Sequence, residues 1–170
     1  MYIALTGTPG TGKSSAAKVL AKRGFMVKTV EELARQHGAI ETVDGELEVD
    51  TEKLSTALPE PDGTIIIEGH LSHHLPNELC IILRCHPEEQ RKRLLARNYS
   101  REKLLDNLEA EAIDIILTEA LEAWENVCEV DTSNLSAEGV ADAIENIING
   151  KADEYPPGKI DWSGAVMDWY

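Results

Sequence analysis

Gly7-Thr8-Pro9-Gly10-Thr11-Gly12-Lys13-Ser14 is the stretch that decides the fold of this chain. It matches the phosphate-binding pattern G-x-x-x-x-G-K-[ST], in which glycines let backbone N–H groups converge on phosphate oxygens. The apolar run 2–6 before it predicts a short buried strand, and residues 14–21 after it predict a helix closed by Gly24. A strand, a glycine loop and a helix form the context in which this pattern binds a nucleoside triphosphate.

The loop and the first helical residues are the predicted binding site for the phosphates. The helix N-terminus adds unpaired N–H donors and a favourable dipole. Lys13 can reach the β- and γ-phosphates, and the Ser14 hydroxyl can hold Mg²⁺. The alternative is a glycine-rich turn that binds nothing, but the spacing, the Lys-Ser pair and the flanking elements all favour binding. The predicted nucleotide-binding residues are Gly7, Thr8, Pro9, Gly10, Thr11, Gly12, Lys13, Ser14 and Ser15.

Length and composition favour one globular domain. The chain has 170 residues, and 42% of them are hydrophobic, which is ordinary for a soluble protein with a real core. The strongest apolar run, residues 79–83, is far too short to span a bilayer, and no charged-then-apolar leader with a cleavage site is apparent. We therefore expect no membrane association and a cytoplasmic protein, or a nuclear one in a eukaryote. The three cysteines are expected to be buried, reduced thiols.

The net charge of −15 is unevenly distributed. Residues 101–150 contain 13 acidic and 2 basic residues, whereas residues 84–103 contain 7 basic and 3 acidic residues. The acid-rich part argues against nucleic acid as a partner of that face, because it would repel phosphates. It suits a basic protein partner, although a solvated helix face would carry the same charges.

The rest of the chain alternates apolar runs with helical patterns. Several of the apolar runs lack alternation, as expected for strands buried on both faces of a parallel sheet. Strands alternating with helices predict an α/β fold, a three-layer parallel sheet with right-handed crossovers. Strands are predicted near 2–6, 26–30, 64–68, 79–84 and 126–130, and helices near 13–23, 30–38, 50–58, 87–97, 101–125 and 136–149.

Two stretches depart from this alternation. Residues 38–63 are rich in glycine, proline and acids, and we interpret them as an insertion on one side of the sheet. The tail 151–170 begins with a Pro-Pro-Gly segment that is not helical. It carries Trp162, Trp169 and Tyr170, so we expect it to pack back on the body of the protein.

A second candidate segment follows the third predicted strand, where Glu68-Gly69-His70 ends the apolar run 64–67. In phosphate-loop enzymes a carboxylate at the tip of a neighbouring strand meets the Mg²⁺, and Glu68 is in that place. Glu68 could instead be a helix cap or a surface acid. His70 could lie near the γ-phosphate and orient a water or an acceptor, or it could be an ordinary loop histidine.

The histidines at 70, 73 and 74 also resemble a metal cluster. His70 and His74 are four residues apart and would share a face if this stretch were helical. However, no cysteine or acidic partner follows at zinc spacing, and no H-E-x-x-H pattern is present. The sequence therefore does not favour zinc.

Cations must gather around the negative charges of a phosphoryl transfer, and arginines provide the best candidates. Arg93 and Arg97 are one turn apart on a predicted helix, and Arg101 follows across a short loop. The alternative is an ordinary solvated basic face. Arg35 and Arg84 are further candidates, for the acceptor and the triphosphate respectively.

In three of these stretches the chain resembles the small atypical adenylate kinases of archaea and the eukaryotic nucleus. The resemblance rests on residues 7–15, on residues 68–70 and on residues 97–111, which read R-N-Y-S-R-E-K-L-L-D-N-L-E-A-E. The family carries R-G-Y-x-x-x-K-(I/L)-x-(D/E)-N-I-x-x-E at its mobile lid. This chain follows it with Asn98 for the glycine and Leu108 for the isoleucine. The similarity covers about residues 1–150.

The resemblance implies a nucleoside-monophosphate-kinase fold with strand order 2-3-1-4-5. It implies ATP and Mg²⁺ as cofactors, transfer of phosphate to AMP, and some ATP hydrolysis. It also implies a role in small-ribosomal-subunit maturation through a basic ribosomal protein. Within one domain, 1–170, residues 38–60 would be the AMP-side insertion and residues 97–103 the short lid.

The catalytic residues that follow from this interpretation are Lys13, His70, Arg93 and Arg97, with Ser14 and Glu68 at the metal. The family usually has Asp where this chain has Glu68, and the longer side chain would shift Mg²⁺ by about a carbon–carbon bond length. Two alternatives stay open: an ATP-gated ribosome assembly factor with little kinase turnover, and a kinase for another small acceptor.

Overall fold

The computed structural model describes residues 1–166 and 169 of the chain. Strands and helices alternate along it, with short 3₁₀ turns at 72–74 and 152–154 and a π-type turn at 147–151. The strands are β1 (Tyr2–Thr6), β2 (Met26–Thr29), β3 (Ile40–Val43), β4 (Glu46–Val49), β5 (Ile65–Glu68), β6 (Leu79–Arg84) and β7 (Val127–Asp131). The α-helices are α1 (Lys13–Lys22), α2 (Val30–Gln36), α3 (Thr51–Ala57), α4 (Pro87–Leu95), α5 (Arg101–Ala112), α6 (Ile115–Ala123), α7 (Ala137–Asn146) and α8 (Ser163–Val166).

A five-stranded sheet forms the centre of the protein, in the order β2-β5-β1-β6-β7. Every neighbouring pair in it is parallel. This confirms the predicted α/β fold with a parallel sheet. Only the numbering differs from the predicted order, because the chain contains two further strands, β3 and β4, that pair only with each other. Counting the strands of the main sheet alone gives 2-3-1-4-5.

The sheet is covered on both faces, which explains why its strands lack alternation. Ile3 and Leu5 of β1 point to one face and join the core that includes α1 and α7. Tyr2 and Ala4 point to the opposite face, toward the core residues of α2, α3 and α6. Since side chains alternate along a strand, a strand buried on both faces is largely apolar on both of them.

The predicted helix over 101–125 is wrong in one respect, because the structure has two helices there. The break lies at Ile113–Asp114, and Asp114 takes a left-handed conformation with φ 58°. Its carboxylate pairs with the guanidinium of Arg84. Asp tolerates left-handed φ better than most residues, and the ion pair gives this side chain a reason to turn inward. The periodic leucine pattern could not show this break.

The insertion forms a hairpin followed by α3. The turn residues Asp44 and Gly45 have φ values of 51° and 86°, the positive pair that tight two-residue hairpin turns require. Most hairpin residues are exposed. The fully buried Leu54 of α3 connects the insertion to the core that contains Tyr2 and Ile67.

The tail lies against the body at several points. The carbonyl of Tyr155 accepts a hydrogen bond from the N–H of Glu129 at 3.2 Å. The ring of Trp162 meets the ring of His86 edge-on, with centroids 5.0 Å apart. Trp169 packs beside Leu94 and its neighbours in a small apolar cluster, while Tyr170 lies outside the described residues. Within the described residues, no helix combines the length and apolarity needed to cross a membrane.

Candidate active site

The phosphate loop runs from the end of β1 to the start of α1 and depends on glycine at two places. Gly7 has φ 142°, and a Cβ there would lie 2.5 Å from the carbonyl oxygen of Leu83. The loop therefore passes so closely over the end of β6 that only glycine fits. Gly12 caps α1 with φ 99°, and a Cβ there would meet nothing nearer than Arg93 at 3.8 Å. The space in front of the helix N-terminus is open to a ligand.

Lys13 lies inside this loop rather than in solvent. Its Nζ donates hydrogen bonds to the carbonyls of Gly7 at 2.6 Å and Thr8 at 2.9 Å. Burial lowers the pKa of Lys13 to about 8, although the carboxylates of Glu68 and Glu111 oppose this shift. The loop carbonyls therefore fix the position of the ammonium, and a bound phosphate would stabilise its positive charge.

Glu68 and Ser14 come together as the sequence predicts. Parallel pairing places Glu68 of β5 beside Leu5 of β1, at the end of the sheet from which the loop emerges. The Ser14 hydroxyl donates to Glu68 Oε1 at 3.4 Å. Burial raises the pKa of Glu68, and the nearby charge of Lys13 opposes that rise. A carboxylate and a hydroxyl in one place are hard oxygen ligands that fit Mg²⁺.

Arg93 forms part of a cavity on one side of the loop. Its guanidinium donates to the carbonyls of Gly10 at 3.4 Å and Thr132 at 3.0 Å, so it bridges the loop and the segment after β7. The cavity has a volume of about 370 Å³, and Arg97 lies at its edge, exposed to solvent. Arg97 is close enough to Lys13 for its charge to lower the pKa of Lys13. We call this space the Arg93 cavity.

A second cavity of about 460 Å³ lies on the other side, and we call it the His70 cavity. Ser14 and Glu68 form its floor beside the loop, and Arg35 of α2 lies in its wall. The surrounding protein and the charges of Lys13 and His74 lower the pKa of His70. The lowered pKa favours the neutral imidazole of His70, which suits a hydrogen-bonding role better than a charged one.

Arg84 does not line either cavity, so its interpretation as a triphosphate ligand is wrong. It is 2% exposed and its nitrogens pair with Glu111 at 2.7 Å, with Glu129 at 2.5 Å and with Asp114. Burial opposes its charge, but the carboxylates outweigh that effect and raise the pKa of Arg84. The guanidinium of Arg84 stabilises the buried acids next to the phosphate loop and does not face a ligand.

Several residues that support the loop were not among the predicted site residues. Glu111 accepts a hydrogen bond from the Thr8 hydroxyl at 2.6 Å, and so connects the loop to Arg84. Gln90 donates to the Thr8 hydroxyl at 3.0 Å, and Thr132 donates to the Thr11 carbonyl at 2.7 Å. Glu111 is the final acid of the lid-like stretch, so a signal for it existed, whereas Gln90 and Thr132 belong to no recognisable motif.

The parallel sheet, the glycine loop and the two flanking cavities define a P-loop protein of the nucleoside kinase type. Solved structures agree in fold: shikimate kinase from Acinetobacter baumannii in complex with shikimate has a TM-score of 0.62 at 17% identity, covering 87% of this chain and 92% of that one. The YorR protein of Bacillus subtilis, in complex with phosphorylated GDP, has a TM-score of 0.59 at 17% identity, covering 88% and 96% respectively. At these identities the likeness concerns the fold alone.

Sequence comparison identifies the family. A family model described as an AAA domain matches residues 3–114. A protein of Archaeoglobus fulgidus named "Putative adenylate kinase" is 51% identical, over 99% of this chain and 95% of its own. A protein of the same name from Methanothermobacter thermautotrophicus is 45% identical, over 97% of this chain and 99% of its own. The chain belongs to this family of archaeal P-loop proteins, and its class of activity is that of a nucleotide kinase.

Proposed function

We propose that the protein is an adenylate kinase that transfers the γ-phosphoryl group of ATP to AMP and yields two molecules of ADP. The observation that carries this proposal is the pair of cavities on opposite sides of one phosphate loop. Gly12 and Ser15 line the Arg93 cavity, and Ser14 lines the His70 cavity. Because these residues are consecutive or nearly so, nucleotides in the two cavities would meet at Lys13.

The Arg93 cavity is the proposed ATP side. The open N-terminus of α1 would bind the phosphates through backbone N–H groups. Lys13 would exchange its two carbonyl contacts for phosphate oxygens, and Arg97 would neutralise charge that develops during transfer. Arg93 is already fixed by the carbonyls of Gly10 and Thr132, so little ordering remains to be done when ATP binds.

The His70 cavity is the proposed AMP side. Arg35 would bind the acceptor phosphate in paired hydrogen bonds, and Leu47 with Val49 would contact the base. An oxygen of the AMP phosphate forms the new bond to the γ-phosphorus, while the bond from that phosphorus to the β-bridging oxygen breaks. Neutral His70 would donate or accept a hydrogen bond at the acceptor without adding charge.

Mg²⁺ is the expected metal, and Ser14 and Glu68 are the residues that would hold it. A bound ion would supply neutralisation of phosphate charge during the transfer. Burial raises the pKa of Glu68, and the charge of Lys13 nearby counteracts part of that rise.

The test is ADP formation from ATP and AMP, compared with a panel that replaces AMP by GMP, CMP, UMP and shikimate. We expect turnover with AMP to exceed turnover with every other acceptor. Turnover with another acceptor and none with AMP would contradict the proposal and favour a kinase for a different small molecule. Phosphate release from ATP alone measures the accompanying hydrolysis, which we expect because exposed Arg97 leaves the ATP side accessible to water.

A second candidate function, maturation of the small ribosomal subunit, rests on exposed acids. A small part of the acid-rich charge is already paired inside the protein, since Glu111 and Glu129 bind Arg84. Glu119 and Glu122 of α6 stay on the surface with Glu125 just beyond that helix. These would suit a basic ribosomal protein. Retention of small-subunit ribosomal proteins, with and without ATP, tests this role, and loss of all retention at moderate salt would contradict it.

A further inference from the structure

Two neighbouring histidines and a glutamate lie together beside α6, away from the proposed nucleotide contacts. His73 Nε2 is 2.8 Å from Glu119 Oε2, and His74 Nε2 is 3.7 Å from the same oxygen. The two imidazole rings are 4.0 Å apart between centroids. One ligand atom from each of the three residues lies within 4.8 Å of the other two.

His73 is the fixed member of this group. Its side chain is 2% exposed, and its other ring nitrogen, Nδ1, lies 3.0 Å from the Thr6 hydroxyl. The Thr6 hydroxyl also lies 3.4 Å from the His70 carbonyl, to which it can donate. Without a metal, Nε2–H can donate to Glu119 while Nδ1 accepts from the Thr6 hydroxyl. When a metal takes Nε2, Nδ1–H can donate to the Thr6 hydroxyl, which can itself donate to the His70 carbonyl. Histidines that bind metals are commonly oriented in this way through their second nitrogen.

The backbone of this segment is also held in place. The indole N–H of Trp124 donates to the carbonyl of His73 at 2.7 Å. His74 and Glu119 are 40% and 44% exposed, so both side chains can rotate toward a cation while His73 stays fixed. Small rotations suffice, because ligand atoms around one Zn²⁺ are at most about 4.2 Å apart, twice the usual bond length.

We propose that His73, His74 and Glu119 form a binding site for a divalent transition metal, with Zn²⁺ as the best match. Two imidazoles and one carboxylate suit zinc and its first-row neighbours, whereas Mg²⁺ prefers oxygen ligands alone. Three protein ligands leave a further position for water. Imidazole binds a metal only in its neutral form and a carboxylate only when ionised, so metal binding should weaken at low pH.

The site differs from the proposed Mg²⁺ site in its ligands and in its place. Glu68 and Ser14 lie in the His70 cavity, whereas His73 lies behind Thr6, the last residue of β1. Thr6 directly precedes Gly7, and its hydroxyl contacts the carbonyl of His70. A metal at His73 would therefore tighten the segment that carries both the phosphate loop and His70, and so raise the unfolding temperature.

The experiment titrates the purified full-length protein, free of nucleotide, with Zn²⁺ alone and with Co²⁺ alone. We expect one equivalent to bind tightly, with the strong visible absorption of Co²⁺ in a four- or five-coordinate site. Glu119→Gln and His74→Ala should each weaken binding at least tenfold, because both remove a ligand from an exposed position and leave buried His73 in place. Their unfolding temperatures without metal should match that of the natural protein.

Matched controls are Glu122→Gln, on the same helix, and His37→Ala, an unrelated histidine, and neither should change binding. His70→Asn separates the two sites. If His70→Asn abolished Zn²⁺ binding while Glu119→Gln did not, the metal would lie in the His70 cavity and the proposal would be overturned. Absence of stoichiometric binding, or equal binding by all variants, would overturn it as well. None of these outcomes depends on kinase activity.

Discussion

The Arg93 cavity lies between elements that pack on the main sheet, whereas the His70 cavity is completed by a hairpin that does not join it. On the Arg93 side, Thr132 is buried and its hydroxyl bonds the carbonyl of Thr11 at 2.7 Å. On the His70 side, β3 and β4 pair only with each other, and Leu47 in the wall is 64% exposed.

The two cavities differ in how firmly their walls are held, and this suits them to different roles in binding. The Arg93 side has many internal hydrogen bonds, so it can hold a triphosphate in one geometry with little reorganisation. The hairpin side has few buried apolar contacts, which is the character of segments that open locally at low cost. An acceptor can enter and leave there while the phosphate loop keeps its shape. Substitutions of Lys13, between the two cavities, of Arg84, beneath the Arg93 side, and of Arg35, on the His70 side, test this difference.

The largest expected effect comes from Lys13, which lies in the chain between Gly12 of the Arg93 cavity and Ser14 of the His70 cavity. Lys13→Met keeps the volume of the side chain but removes the charge that would neutralise the transferred group. We expect kcat/KM to fall about 10³-fold, the usual size of losing a central electrostatic contact. Steady-state ADP formation measures it. Lys18→Met, on the exposed face of α1, is the matched control, and an equal loss in that variant would show that Lys13 has no special role.

Arg84 supports the Arg93 side from below, so its loss should affect stability. Arg84→Met leaves Glu111 and Glu129 buried without a cation. Removing one partner of a buried ion pair destabilises by about 3–5 kcal/mol, which urea unfolding can measure. Arg23→Met removes an arginine that pairs with Asp142 and Glu145 at the surface, and should change stability far less. Similar losses in both variants would contradict the structural role assigned to Arg84.

Arg35 should affect the acceptor side alone. Arg35→Ala removes a guanidinium from the His70 cavity, and we expect the KM for AMP to rise about tenfold, the cost of one charged hydrogen bond. The KM for ATP should not change. Arg91→Ala, on an exposed face of α4, provides the control. A rise in the KM for ATP that equals the rise for AMP would mean that the two sides are not separable.

The smallest effect concerns pH. The pKa of Lys13 is lowered to about 8, so free protein loses this charge as the pH rises through 8 and keeps it below. Phosphate stabilises the charged form, so ATP should bind more weakly above this pH and take up a proton when it binds. Calorimetry in buffers of different ionisation enthalpy detects that proton. Lys13→Arg, which stays charged, should remove the dependence. Proton uptake that persisted in Lys13→Arg would assign the effect to another group.

The sequence predicts the centre of the molecule better than its edges. The apolar runs predicted the main strands because a strand buried on both faces carries few polar residues. The break between α5 and α6 was missed, because it depends on an ion pair between Asp114 and Arg84 that no local pattern contains. The prediction for Arg84 fails for the same reason: an arginine at a strand end can face a ligand or a buried cluster of acids, and Arg84 faces the acids.

The group of His73, His74 and Glu119 shows most clearly that a contact between distant residues has no local sequence pattern. Sequence spacing around His73 and His74 offered no acidic partner, yet Glu119 lies within 2.8 Å of His73 because α6 packs beside that segment.

By itself, the sequence determined the phosphate loop with Lys13 and Ser14, and the parallel α/β class. These follow from local rules: glycine conformation, the helix N-terminus and the two-residue period of strands. Only the tertiary structure decided which charges are buried together, which cavity each arginine lines, and that Glu111, Thr132 and Glu119 meet partners far away in the chain. The physical reason is that burial and long-range contacts depend on how helices pack on the sheet. No local sequence pattern specifies how the helices pack on the sheet.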